Sequence, residues 1–137
     1  MNILIAEDDF VCRTLLQEIL GVYGTVDVAT NGREAIDSFT QSTETGEPYQ
    51  LICLDIMMPE VDGQQALKEI RRIEQEKGVS GANAVKIIMT TALGDPKNIM
   101  EALLKGHCDA YINKPVSAEE IEKIMSDFGF DKVGEDP

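Results

Sequence analysis

One feature constrains this chain more than any other. Short apolar runs alternate with stretches whose apolar residues recur at helical spacing. Ile3-Leu4-Ile5-Ala6, Leu51-Ile52-Cys53-Leu54 and Val85-Lys86-Ile87-Ile88-Met89 read as buried strands. Thr25-Val26-Asp27-Val28-Ala29 alternates with period two, and Ala110-Tyr111-Ile112 is short. Between and after them run helical stripes. The first falls at positions 11, 12, 15, 16, 19 and 20; the second comprises Ala35, Ile36 and Phe39. The third is Ala66, Leu67, Ile70 and Ile73, the fourth Ile99, Met100, Leu103 and Leu104, and the last Ile121, Ile124, Met125 and Phe128. A strand and helix repeated five times predicts a parallel sheet with helices on both faces. The expected fold is α/β, a doubly wound five-stranded sheet of order 2-1-3-4-5. The apolar runs belong inside, and the alternating second and short fifth strands belong at the edges.

Punctuation agrees with this order. Asn31 with Glu34, and Ser117 with Glu120, have capping-box spacing. Asp95-Pro96 is a helix start with proline at the first helical position, and Gly106 suits the helix end. Gly21 and Gly24 close the first helix, and Pro59, Asp62 and Gly63 mark a turn. Residues 40–49 and 78–84 are predicted loops, residues 1–128 one domain, and residues 129–137 a frayed tail.

Composition narrows the function classes. The 137 residues carry 25 acidic and 12 basic side chains, a net charge of −13, which disfavours nucleic acid and anionic membrane surfaces as partners. At 43% hydrophobic the chain is too apolar for an acidic disordered tail. Cys12, Cys53 and Cys108 are scattered and odd in number, which fits buried, reduced thiols of a cytoplasmic protein. No apolar run reaches the ~20 residues of a membrane span, and the first residues carry no leader pattern, so a cytoplasmic location is expected.

In such a sheet, ligands bind outside the carboxyl ends of the strands. Glu7-Asp8-Asp9 follow the first strand, Asp55 ends the third, Thr90 and Thr91 end the fourth, and Lys114 follows the fifth. Three consecutive acids are expected roughly 0.8 times by chance at this composition. Their position carries the information, because strands one and three are neighbours and their carboxylates must converge. Crowded carboxylates are costly without a cation. Hard oxygen donors without His or Cys suit Mg²⁺. A Mg²⁺ site with a spare carboxylate, a hydroxyl and an ammonium is equipped for phosphoryl transfer.

With these residues in view, the chain resembles the receiver domain of bacterial two-component response regulators, most of all the stand-alone chemotaxis type. The resemblance spans residues 2–128 and rests on Glu7-Asp8, Asp55 with Pro59 and Asp62-Gly63, Thr91-Ala92, and Lys114-Pro115. It implies that Asp55 is the phosphoacceptor, and that Asp8 binds Mg²⁺ directly and Glu7 through water. The Met57 carbonyl completes the metal ligands. Lys114 holds the phosphoryl group, with a cis bond before Pro115. Thr91 moves to the phosphoryl oxygen and Tyr111 rotates inward. Asp9 fits a helix start, a register that Arg13 supports.

The implied partners are a histidine kinase or phosphotransfer protein and a downstream target. The target meets the face of the fourth helical stripe, fifth strand and last helix, where Lys97, Glu101, Lys105, Tyr111 and Glu122 are candidates. The protein is expected as a monomer or weak homodimer without an output domain, and not as an enzyme acting on other molecules. His107 reads as a surface residue. Met57 and Leu93 replace polar groups that flank the site in many receivers, so slow self-dephosphorylation is expected. A degenerate receiver that only dimerises is disfavoured by the intact set of Glu7, Asp8, Asp55, Thr91 and Lys114. An aspartyl-nucleophile phosphatase wants an acid where Met57 stands. A dinucleotide fold wants glycines where Glu7-Asp8-Asp9 stand.

Overall fold

A computed structural model describes residues 1–92, 97, 100–101 and 107–133. The elements are β1 (Asn2–Ala6), α1 (Phe10–Leu20), β2 (Thr25–Ala29), α2 (Gly32–Thr45), β3 (Leu51–Asp55), α3 (Gly63–Glu76), β4 (Lys86–Thr91), β5 (Ala110–Asn113) and α4 (Ala118–Asp127), with a 3-10 turn at Gly81–Asn83. All strands pair in parallel, in the order β2-β1-β3-β4-β5. This is the expected doubly wound sheet, with the apolar runs inside. Lys97, Met100 and Glu101 are helical. The remainder of the fourth stripe (Asp95, Pro96, Ile99, Leu103, Leu104, Gly106) lies outside the described residues, as do Leu93 and Lys105.

Alternate side chains of each strand feed two cores. Leu4, Ala6, Ile52, Leu54, Ile87 and Met89 pack with α2 and α3. Ile3, Ile5, Leu51, Cys53, Ile88 and Ile112 pack with α1 and α4. Burial on both faces is why these strands tolerate almost no polar residue.

Three local expectations are corrected. Residues 40–45 continue α2 rather than forming a loop. The hydroxyls of Thr40, Ser42 and Thr43 donate back to carbonyls within the helix, and Gly46, at φ 79°, ends it. The α1 stripe is narrower than read. Leu16 and Leu20 are buried, whereas Phe10, Val11 and Leu15 face outward. The tail is tied down as far as Val133, whose N–H donates to the Val22 carbonyl, while Phe130 packs on the second core. Residues 134–137 lie outside the described residues.

The caps also differ in detail. Asn31 accepts from the Glu34 N–H, but Glu34 reaches one residue further back, to Thr30. Ser117 accepts from the Glu120 N–H at 3.4 Å. The reciprocal capping box is at Asp62 and Gln65, so Asp62 starts a helix rather than a free turn. Gly63 follows because a Cβ there would lie 2.2 Å from the Asp55 carbonyl oxygen. That contact presses the start of α3 against the end of β3.

At the opposite end of the sheet Arg71 is a hub. It bonds Glu74 and the Val85 carbonyl, and reaches the His107 carbonyl and Asp109. Buried Glu74 in turn accepts from the Val85 N–H at 2.7 Å. This network fastens α3 to the starts of β4 and β5. His107 itself is exposed, at φ 60°.

Candidate phosphoryl-acceptor site

The parallel sheet delivers its carboxyl ends to one edge, and the chemistry collects there. Asp55, 2% exposed, ends β3. Its Oδ1 accepts from the Met57 N–H at 3.2 Å and its Oδ2 from Lys114 Nζ at 3.2 Å. Glu7, fully buried, follows β1, and its Oε1 lies 2.6 Å from Lys114 Nζ. That contact is a charge pairing without hydrogen-bond alignment, since Glu7 Oε1 has no aligned donor. Arg13 holds the Glu7 carbonyl at 2.9 Å, and the Glu7 N–H donates to the Ala29 carbonyl. The segment leaving β1 is therefore fixed from two sides. Asp9 caps α1 through the Cys12 N–H, the helix start read for it.

Glu7, Asp8 and Asp55 can each place a carboxylate oxygen within 4.8 Å of the others. Against three carboxylates stands the Lys114 ammonium, so negative charge is in excess. Burial pushes the Asp55 carboxyl up, and the neighbouring Glu7 pushes it further. Burial also works against ionised Glu7, but Asp55, Lys114 and Cys12 beside its carboxylate outweigh it and hold its pKa down. Burial pulls Lys114 down, yet Glu7 and Asp55 more than offset this and raise it. The Cys12 thiol, desolvated and close to the Glu7 carboxylate, rises to about 12, which argues against a nucleophilic role.

Thr91 is fully buried at the end of β4. Among the described residues its hydroxyl donates to the adjacent Ala92 carbonyl, at 3.4 Å. The Lys114-Pro115 bond is cis, as expected, and the Lys114 N–H donates to the Thr91 carbonyl at 2.7 Å. Tyr111 is 41% exposed, with its ring outward, and Met57 stands exposed at the mouth. Glu101 pairs with Lys68 of α3 at 2.9 Å and Glu122 with Lys132 at 3.4 Å.

Sequence reasoning missed one element of the mouth. An apolar groove of about 460 Å³ runs beside Lys114, lined by Val11, Cys12, Leu15, Ala92, Pro115 and Val116. Its signal was the width of the α1 stripe, which exceeds what a single core contact needs. A larger polar cleft of about 700 Å³ lies at the far end, between β2 and α2, and holds Asp27, Ser42 and Tyr49.

The family model for the response regulator receiver domain matches residues 3–126. The chain belongs to that family. The receiver is 32% identical over 130 residues to the osmosensing histidine protein kinase SLN1 of Saccharomyces cerevisiae, covering 93% of this chain but 10% of that protein. The regulatory protein VanRB of Enterococcus faecalis is 34% identical over 113 residues, 82% of this chain and 44% of its own length. The chain thus spans less than half of either protein. The chemotaxis protein CheY of Bacillus subtilis is 32% identical over 127 residues, which span 91% of this chain and 94% of CheY. Among solved structures, the receiver domain of Ssk1 in its co-crystal with the phosphotransfer protein Ypd1 of Saccharomyces cerevisiae superposes with a TM-score of 0.79. It is 28% identical and covers 94% of this chain and 88% of that one. A receiver domain of a Pseudomonas aeruginosa sensor histidine kinase has a TM-score of 0.72 at 26% identity, covering 93% of this chain and 95% of its own. It was solved with magnesium coordinated in its active site cleft.

Proposed function

We propose that this receiver takes a phosphoryl group on Asp55 from a phosphohistidine of a histidine kinase or phosphotransfer protein and signals through altered protein contacts. The observation that carries the reading is the Asp55 carboxylate. It is buried at a strand end, with an ammonium 3.2 Å away and two further carboxylates beside it. An Asp55 oxygen forms the new bond to phosphorus. The phosphorus–nitrogen bond breaks, and its electron pair returns to the donor imidazole. Lys114 supplies positive charge to the transferring oxygens, and Thr91 supplies a donor once its hydroxyl turns toward them.

The donor set fits a divalent cation. It offers hard carboxylate oxygens, an excess of negative charge, and the buried Glu7 Oε1 without an aligned donor. Asp8, Asp55 and the Met57 carbonyl would hold Mg²⁺, with Glu7 through water. The ion, when bound, offsets the charge of the phosphoryl oxygens. The receiver turns over no other substrate; it promotes only its own phosphorylation and dephosphorylation.

The apolar groove beside Lys114 is the surface that fits the donor protein, because it adjoins the acceptor and is bordered by exposed Phe10, Val11 and Leu15. The downstream target meets the side of the sheet that carries Lys97, Glu101, Tyr111 and Glu122. Among the described residues no helix is long and apolar enough to cross a membrane. We place the protein in the cytoplasm, as a monomer or weak dimer.

The test is incubation with Mg²⁺ and acetyl phosphate, followed by intact-mass measurement. The expected result is one phosphoryl adduct, labile to base and to hydroxylamine as an acyl phosphate must be, that Asp55→Ala abolishes. No adduct on the wild type, or an equal adduct on the variant, would overturn the proposal.

A further inference from the structure

Thr91 and Asn113 are opposite each other in the parallel pairing of β4 and β5. Residues so paired project from the same face of a sheet, and Tyr111 shares that face two positions earlier on β5. Neither polar side chain is well partnered. Among the described residues the fully buried Thr91 hydroxyl has the 3.4 Å contact to Ala92. That is long for an O–H···O bond, which is normally about 2.7–2.8 Å. Asn113 Oδ1 is buried and has no hydrogen-bond partner among the described residues. An unsatisfied buried amide oxygen costs more than a hydrogen bond returns, so the pair is poised to meet. One χ1 rotation exchanges the hydroxyl and methyl of Thr91 between staggered wells. Because a hydroxyl both donates and accepts, the contact forms whichever way the amide is turned.

The geometry points to Asn113 as the group the Thr91 hydroxyl reaches by that rotation, holding it on the β5 side of the mouth in competition with a phosphoryl oxygen at Asp55. This rests on the phosphoryl-acceptor reading and deepens it. Asn113 is a positioning residue, since it acts through Thr91 and touches neither metal nor phosphoryl group. Its consequence is a bias. A hydroxyl already bonded must give up one partner to gain another, so the active arrangement is less favoured than it would be without Asn113. Tyr111, on the same face, then answers to a threonine with two defined positions rather than one free to wander.

The probe is beryllofluoride with Mg²⁺, titrated against the full chain and followed by the change in tyrosine fluorescence that Tyr111→Phe removes. Asn113→Leu keeps side-chain size and removes the amide. It is expected to bind beryllofluoride about fivefold more tightly, the equivalent of one net hydrogen bond released. In a Thr91→Val background the same change is expected to have no effect. Asn113→Ala, which only trims the side chain, is expected to move in the same direction and serves as the comparison if the leucine variant does not fold. In the wild type, the Asn113 side-chain amide resonances should shift when beryllofluoride binds, and should not shift in Thr91→Val. Three results would overturn the role. These are unchanged or weaker binding by the Asn113 variants, the same tightening without the Thr91 hydroxyl, and amide resonances indifferent to the ligand. Failure of the wild type to bind beryllofluoride would instead sink the phosphoryl-acceptor reading itself.

Discussion

Asp55→Asn is expected to stabilise the metal-free receiver at pH 8 while abolishing phosphorylation. Burial, and then Glu7, raise the Asp55 pKa from 3.8 to about 7. Between those values the folded chain binds a proton that the unfolded chain has released. Stability therefore falls as pH rises through this window, and the full cost is present above about 7. Glu7 runs the other way. Its pKa is lowered from 4.5 to about 2, so its stabilising contribution is present above 4.5 and is lost only in acid. Between pH 5 and 8 the Asp55 effect stands alone in this pair. At about 1.4 kcal/mol per pH unit, the interval from 3.8 to about 7 sets a ceiling of about 4 kcal/mol. Lys114 stays close to Asp55 and balances part of its charge, so about 2 kcal/mol is the expected gain for asparagine, or roughly 5–10 °C in Tm for a domain of this size. The assay is thermal unfolding by circular dichroism in EDTA, from pH 5 to pH 8, on both proteins. Their difference cancels the titrations that are not coupled to Asp55. The wild type should lose stability across that range relative to Asp55→Asn, and the variant should melt higher at pH 8. A difference that does not change with pH, or a variant no more stable than the wild type at pH 8, would refute the reasoning.

Other expectations concern the metal, the adduct, the donor and the fold. Mg²⁺ at a hundredfold excess over its dissociation constant should add about 2.7 kcal/mol at pH 8 and less at pH 5, where protons compete for Asp55; an equal shift at both would argue against binding there. Exposed Met57 brings an apolar side chain to the mouth where a polar one would help orient a hydrolytic water, so the acyl phosphate should last minutes or longer without a phosphatase, and Met57→Asn should shorten it. A wild-type lifetime of seconds would contradict this. Leu15→Glu should slow transfer from a protein phosphodonor at least tenfold through the lost apolar groove, yet leave phosphorylation by acetyl phosphate unchanged. Arg71→Leu strands the buried Glu74 carboxylate and should cost about 3 kcal/mol in urea unfolding, without moving the pH dependence assigned to Asp55.

The sheet order was legible because burial on both faces writes itself into sequence as unbroken apolar runs, and only edge strands can alternate or shorten. The site was legible for a related reason. A parallel sheet sends every strand end to one edge, so Glu7, Asp55, Thr91 and Lys114 had to meet once the strands were placed. Helix lengths were harder. Thr40, Ser42 and Thr43 look like a loop by composition, and their back-bonding to carbonyls within α2 is invisible to a hydropathy pattern. Contacts set by rotation about a helix axis were also hidden. The outward turn of Val11 and Leu15 follows from how α1 settles on Ile3 and Ile5, and no periodicity reports that angle. Asn113 escaped for a different reason. A single polar residue on an edge strand carries no signal until its partner across the register is known.

The same reasoning explains why the mouth is left unbalanced. A second lysine could neutralise Glu7, Asp8 and Asp55 and relieve the strain on the Asp55 carboxyl. It would also remove the reason for a cation to bind, and would leave an arriving phosphoryl group with nothing new to gain. A switch needs contacts that differ between its two states. Here Lys114 is shared between Glu7 and Asp55, and the Thr91 hydroxyl makes a long 3.4 Å contact to the Ala92 carbonyl. Each is underused at rest and better used once Asp55 carries added charge. The charge imbalance that costs stability at Asp55 is therefore also what leaves a cation and a phosphoryl group new contacts to make.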